Sequence, residues 1–318
     1  MKVDFKKRKN FDKKYYYFKY LILIINNSFL IYSFQKELIE KKSHIIFTFW
    51  EPRSKIPEYL LLCMKTWKKN FPDDYKIIIL DYSNLKDYLS IHMIHKISCK
   101  NMNLATQADA IRIAILHKYG GFWMDTDTVL INNKFIELFN GSDLIMFGWS
   151  KYKYKQYTGF IYASNKSKIL KIWLDKIIEK VTIYKNFLKA LPYHNKKNNN
   201  YYKKFMKNIK WSYLSNEIID NLVENVPEKD YKRIEIENTY TLPDQIIFKG
   251  PFVERYIKFY FSSLNNFYLL KKCKGILLLH NSWTPQKYKK MSSITFLNQK
   301  IFLSYLISNI LAINNTVQ

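Results

Sequence analysis

The stretch Ala105 to Leu130, ATQADAIRIAILHKYGGFWMDTDTVL, constrains the fold more than any other, because it sets a helix, a glycine stop, an apolar strand and two carboxylates in direct succession. Leu104, Ala108, Ile111 and Ile115 recur at helical spacing, with Ala114 widening the stripe, which predicts a core-facing helix. Asp109 and Arg112 share a different face, three residues apart, close enough to pair or to act on one ligand. Gly120 and Gly121 end the helix, since glycine takes the left-handed C-terminal conformation without steric cost. Phe122-Trp123-Met124 then runs as a strand into Asp125. If the chain stays extended through Thr126, Asp125 and Asp127 point to one side, because side chains in a strand repeat every two residues. Two acids at the end of a buried strand need neutralising, and a divalent cation is the natural partner.

The flanking chain supplies a sheet for this stretch to join. His44 to Trp50 is an apolar strand closed by Glu51-Pro52. Pro57 suits the first turn of a helix running through Trp67, and Tyr75 to Leu80 is a second strand. Strand, helix, strand at this spacing is a βαβ unit, so an α/β fold with a largely parallel sheet and right-handed crossovers is expected. A helix is expected over 84–98, strands over Asp143–Gly148 and Tyr157–Ala163, and a helix over Lys168–Lys180. Residues 187–211 contain seven lysines and no acid, as in an exposed, mobile insertion. Strand pieces are expected in 234–248, broken at Pro243, and Gly275 to His280 is the last core strand.

Both ends leave alternatives open. Residues 1–20 carry eight Lys or Arg against two Asp and run into Tyr20–Ile25, Asn26-Asn27-Ser28 and Phe29–Phe34. That apolar run is shorter than the roughly 20 residues a bilayer core requires, so it reads either as a basic segment on an anionic membrane surface or as a disordered or core-packed start. The apolar run Ile301 to Ile313 is either a second surface helix or a packed one. The domain reading is therefore an N-terminal segment 1–42, a catalytic domain 43–290 containing the 187–211 insertion, and a C-terminal apolar helix in 291–318. Cys63, Cys99 and Cys273 form no CxxC pair, which argues against a disulfide framework or structural zinc and suits a reducing compartment. The net charge of +26 fits a polyanion partner, or a compositional bias toward Lys, Asn, Ile and Tyr throughout the chain.

Asp125-Thr-Asp127 is a frequent chance pattern, and its context raises it. Hard oxygen ligands favour Mg²⁺ or Mn²⁺, ions that complete their shell with phosphate oxygens and water. That points to a nucleoside diphosphate substrate. His280 ends a strand and precedes Asn281, Ser282 and Trp283; it reads either as a satisfied core histidine or as a ligand. Trp50 is core by default, or a base-stacking residue at the carboxyl edge of the sheet, where parallel sheets bind ligands.

AxxADAxRxAILxKYGGFWMDTD resembles the DXD sugar-binding segment of nucleotide-sugar glycosyltransferases of the capsular polysaccharide synthesis group, with kinship to a group of mannosyltransferases and to the large clostridial toxin glucosyltransferases. IIFTFWEP, IPEYLLLCMKTWKKNFPDDYKIIILD and LLLHNSWTP are also similar, so the resemblance covers roughly residues 44–285. It implies a GT-A fold, a Rossmann-like, mostly parallel sheet flanked by helices. By resemblance, Asp127 ligates Mn²⁺ or Mg²⁺ directly, and Asp125 holds the ribose and reaches the metal through water. Asp109 and Arg112 contact the donor sugar and act in catalysis, and Trp50 stacks on uracil. His280 approaches the metal with Asn281 and Ser282 nearby, and Trp283 caps the leaving group. Ala108 stands where these relatives commonly have Ser. The implied reaction moves a sugar, with retention, from a UDP-sugar to a glycan acceptor, lipid-linked in one version, on the cytoplasmic face of the cell membrane.

Two readings from other classes compete. Phe122 to Leu130 also satisfies the strand-DxD pattern of haloacid dehalogenase phosphatases, with Asp125 as nucleophile and Asp127 as acid/base, but no acidic pair suited to their metal follows. A non-enzymatic polyanion binder would explain the charge and leave the acids unexplained; nucleic acid is the less favoured partner.

Overall fold

The computed structural model describes residues 44–98, 102–149, 156–165, 167–190, 200–210, 212–224, 226–236, 251–263 and 275–312. The basic segment 1–42, Cys99, Cys273, the centre of the lysine-rich insertion and the strand expected around Pro243 lie outside these residues. Ser43–Gln318 form one compact unit.

Eight strands are described: β1 Ile45–Phe49, β2 Lys76–Leu80, β3 Gly121–Met124, β4 Thr128–Leu130, β5 Leu144–Gly148, β6 Gln156–Ala163, β7 Tyr231–Glu235 and β8 Ile276–Leu278. Six form one sheet in the order β2-β1-β3-β6-β5-β7. β1 runs parallel to β2 and β3, and β5 parallel to β7, while β6 opposes both its neighbours. This is the Rossmann-like, mostly parallel sheet expected, with one reversed strand. β1 is buried along its whole length, as a central parallel strand with elements on both faces must be.

The helices are α1 Glu58–Asn70, α2 Ile91–Ile97, α3 Leu104–Tyr119, α4 Lys168–Ala190, α5 Asn200–Asn208, α6 Asn216–Leu222, α7 Phe252–Tyr260, α8 Gln286–Lys289, α9 Ser293–Leu297 and α10 Phe302–Leu311. In α3, Asn103 caps the start by accepting the Thr106 amide proton at 2.9 Å, and Gly120 ends it at φ +69°. The expected one-sided stripe is corrected. Leu104 is exposed, whereas Asp109, Ala110, Ile113 and Leu116 are buried along with Ile111 and Ile115, because α3 lies between the sheet and α4 and has no solvent face along most of its length.

Four further differences have local causes. The 84–98 helix is a 3₁₀ turn over Leu85–Asp87 followed by the shorter α2, which Ser90 caps. α4 continues past Lys180 because Val181 and Tyr184 extend its buried stripe. Part of the lysine-rich stretch is helical rather than loop, and Phe187 of α4 stacks on Phe205 of α5 at 3.8 Å. Gly275–His280 contributes β8, which pairs antiparallel with β4 in a separate two-stranded sheet. At the C-terminus α10 buries Phe302, Leu303, Leu306 and Ile307 against α1 and α7, the packed alternative for that apolar run. Among the described residues no helix is long and apolar enough to cross a membrane.

Candidate active site

β3 delivers the acids to the carboxyl edge of the sheet, and Gly121 lets it sit there. At φ +90°, a side chain on Gly121 would place its Cβ 2.5 Å from the Ile45 carbonyl oxygen, so only glycine permits this approach of β3 to β1. Beyond Met124 the chain turns instead of remaining extended. The Asp125 amide donates to the Gly159 carbonyl at 2.7 Å, and the Thr128 amide donates back to the Asp125 carbonyl at 3.0 Å. The alternation that predicted both carboxylates on one side of a strand therefore does not apply; the turn separates their partners.

Arg112 joins the helix acid to the strand acid. Its guanidinium donates to Asp109 Oδ1 and to Asp125 Oδ1, each at 3.0 Å, and lies 5.1 Å from the centre of the Trp123 ring. Trp123 Nε1 donates to the same Asp125 oxygen at 2.9 Å. The Asp109 and Arg112 side chains are 8% and 6% exposed, against 38% for Asp125, so Asp125 is the member of the triad a ligand can reach. Burial pushes the Asp109 carboxyl up to about 6, against the opposing pull of Arg112.

Asp127 faces the other half of the chain. Trp67 of α1 holds β4 by donating its indole proton to the Thr128 carbonyl at 2.7 Å, and β4 in turn holds β8. The pairing continues past the strand ends. The Leu279 amide donates to the Asp127 carbonyl at 3.3 Å, and the Asn281 amide donates to Asp127 Oδ2 at 2.6 Å. Burial, then the negative charge of Asp125, raises the Asp127 carboxyl above the ordinary carboxylate range, and the Asn281 amide, Asp127's own backbone amide and the Arg112 charge offset this only in part.

The remaining residues singled out from sequence are placed unevenly. Trp50 directly follows β1, donates its amide to the Leu80 carbonyl at 3.0 Å and lies at the same sheet edge as Asp125. The His280 ring packs on Trp283 at 3.9 Å, and its amide donates to the Tyr256 hydroxyl at 2.9 Å. Burial lowers the His280 imidazole to about 4, so it is neutral at physiological pH. Trp283 also meets Tyr256 and Phe252 edge-on, and Ser282 is exposed. Among the described residues no three His, Cys, Asp or Glu side chains form a metal shell, so the expected grouping of His280 with Asp125 and Asp127 is not assembled. The contact made from the C-terminal side is the backbone of Asn281.

Sequence reasoning missed three residues here. Tyr59 of α1 donates to Asn281 Oδ1, and Tyr256 receives the His280 amide. Gly159 is the third: a Cβ there would stand 2.7 Å from Asp125 Oδ2 and 2.5 Å from the Tyr157 hydroxyl, so the glycine makes room for both. It lies inside β6.

The sequence profile of the capsular polysaccharide synthesis protein family matches residues 1–246, more than three quarters of the chain. The chain belongs to that family. Membership bears out the expected role in capsular polysaccharide synthesis. The matched segment of this capsular polysaccharide synthesis protein includes Trp50, Asp109, Arg112, Asp125 and Asp127 and stops short of His280. No curated protein sequence matches it. Among solved structures it is similar to a glycosyltransferase involved in glycosylation of the major capsid of PBCV-1, at 11% identity over 61% of this chain and 82% of that one, TM-score 0.30. It is also similar to the glycosyltransferase GlyE of Streptococcus pneumoniae TIGR4, at 13% identity over 84% of this chain and 63% of that one, TM-score 0.37. The family match, not these distant likenesses, shows the role in capsular polysaccharide synthesis.

Proposed function

We propose that this protein is a glycosyltransferase that takes its sugar from a UDP-sugar, uses Mn²⁺ or Mg²⁺, and extends a surface glycan with retention of anomeric configuration. One observation carries the reading: Asp125 and Asp127 lie close enough at the carboxyl edge for the first to raise the second, and the nearby Arg112 already serves two carboxylates. Such a pair has charge to share with a divalent cation, and two carboxylates without a third side chain suit an ion whose shell is completed by phosphate oxygens and water. Asp127 would hold the ion, with Asp125 beside it. A cation there would supply electrostatic stabilisation of the departing diphosphate.

The chain's own residues supply the positioning. Trp50, at the end of β1, is placed to stack on uracil. Asp109 and Arg112 support the donor side chiefly by fixing Asp125, since both are almost wholly buried. Asp109 and Asp125 accept hydrogen bonds from Arg112, and Asp127 accepts one from Asn281. No described acid at this edge is thus left as a free nucleophile, which favours same-face displacement. A glycan acceptor, lipid-linked or not, would approach at the cytoplasmic face of the membrane. The basic segment 1–42 would meet anionic lipid there, its charge making nucleic acid unnecessary as a partner.

The test is donor turnover with a panel of UDP- and GDP-sugars and Mn²⁺. We expect turnover with at least one UDP-sugar and loss of at least 100-fold in Asp127→Asn, the order seen when a key electrostatic group is removed; turnover that is absent, or indifferent to Asp127→Asn, rejects the reading. Proton NMR of the first-formed product reads the anomer, and an inverted product rejects retention. Deleting 1–42 should release the protein from anionic vesicles, and undiminished binding would reject the membrane role.

A further inference from the structure

We propose that the Tyr157 hydroxyl donates a hydrogen bond to the sugar of the donor and so helps select which sugar is accepted, an inference that rests on the nucleotide-sugar reading. Tyr157 is the second residue of β6 and sits on bare glycine. The position a Cβ would take on Gly159 is 2.5 Å from the Tyr157 hydroxyl, 2.6 Å from its Cζ and 2.7 Å from Asp125 Oδ2. Phenol and carboxylate thus border the same small space. Trp149 packs edge-on to the Tyr157 ring at 6.0 Å and 82°, fixing the aryl plane from β5's side.

The hydroxyl is otherwise unused. Tyr59 donates to Asn281 and Tyr256 receives the His280 amide, so the site's other two phenols are engaged within the protein. Tyr157 makes no hydrogen bond to any described residue, although it is only half-buried and two carboxylates lie near it. Those carboxylates make the spot hostile to a further anionic group and hospitable to a neutral polyol that accepts a proton from a fixed donor.

Strand order gives the direction. Trp50 directly follows β1, Asp125 directly follows β3 and Tyr157 is second in the reversed β6, so the three stand in sequence across one sheet edge. A donor with its base at Trp50 and its diphosphate at Asp125 and Asp127 carries its sugar onward to β6. Tyr157 is therefore set to meet the sugar and not the nucleotide.

The test uses the full-length chain and Tyr157→Phe, which keeps the ring and removes the hydroxyl. We expect an unchanged melting temperature, a Kd for UDP with Mn²⁺ within about twofold of wild type, and a roughly 3- to 10-fold lower kcat/KM for the accepted donor, as for one neutral hydrogen bond. The loss should vanish for the monodeoxy donor that lacks the contacted hydroxyl. Undiminished kcat/KM, or a loss that persists with every monodeoxy donor, overturns the sugar contact. Equal weakening of UDP itself moves Tyr157 to the nucleotide and overturns it as well. If wild type turns over no donor at all, the nucleotide-sugar reading fails, an outcome distinct from an active wild type matched by an equally active Tyr157→Phe.

Discussion

Asp127 concentrates the electrostatic conflict of the site in one side chain. Its carboxyl is half-buried and close to Asp125, and the backbone amides of Asn281 and Asp127 with the Arg112 charge offset this only in part. Asp109 is in a similar position, raised to about 6 by burial in spite of Arg112. The folded chain keeps protons on both groups that the unfolded chain has already released, so each lowers stability as pH rises from about 4 toward neutrality. His280 acts with the opposite sign: held neutral and lowered to about 4, it costs stability as pH falls below about 6.5. Thermal melts of Asp127→Asn against wild type isolate the first effect. In metal-free buffer the variant should gain on wild type between about pH 4 and 7, and saturating Mn²⁺ should narrow or reverse the gap. A gap that does not change with pH would mean that Asp127 is neutralised in some other way. Arg112 and Trp123 both donate to Asp125, which retains solvent access. The i, i+3 pairing of Asp109 with Arg112 can be read from spacing alone. Tyr157 and Gly159 cannot: among 26 tyrosines nothing local marks one, and the reason for the glycine is a carboxylate arriving from β3.

At the scale of elements, the site depends on how β4 is held. Trp67 is fully buried, and its indole proton goes to the Thr128 carbonyl, one residue beyond Asp127. Thr66 adds a second tie, its hydroxyl accepting the Leu130 amide at 2.9 Å. Replacing Trp67 by Phe leaves the Thr128 carbonyl buried without that donor, at a cost of about 1–3 kcal/mol. The chemical denaturation midpoint should fall accordingly and donor turnover with it, since the turn carrying Asp127 loses its anchor; full stability would show that water or another donor replaces the indole. Elements whose signals are local were legible. Asn103 and Gly120 bracket α3, and β1, β2 and β3 are apolar runs bounded by breakers. Elements set from a distance were not. The turn at Asp125 follows from a carbonyl on β6, and β4 is three residues long and exists because β8 pairs with it. α3 gave a wrong pattern for a related reason: with the sheet on one side and α4 on the other, a helix needs no polar face.

For the whole molecule, the C-terminal helices belong to the same core as the site. Phe302, Leu303, Leu306 and Ile307 are each at most 2% exposed, packed with α1 and α7, the helices that bear Tyr59 and Tyr256. At roughly 1.5–3 kcal/mol per buried side chain, the four contribute about 6–12 kcal/mol, comparable to the entire stability of a typical domain, about 5–15 kcal/mol. A chain ending at Gln299 should therefore fail to give a cooperative unfolding transition, and one that melts normally would show α10 to be dispensable. The same long-range architecture bears on when the enzyme becomes competent. The Asn281 amide and the Asp127 carboxylate it meets are 154 residues apart, with the five strands β4 to β8 and four described helices between them. While the protein is being synthesised, its acids emerge long before the segment that closes over them. A ribosome-bound chain halted ahead of residue 275 carries Asp125 and Asp127 with β4 unpaired, so on the proposed function sugar transfer would wait until translation has passed β8.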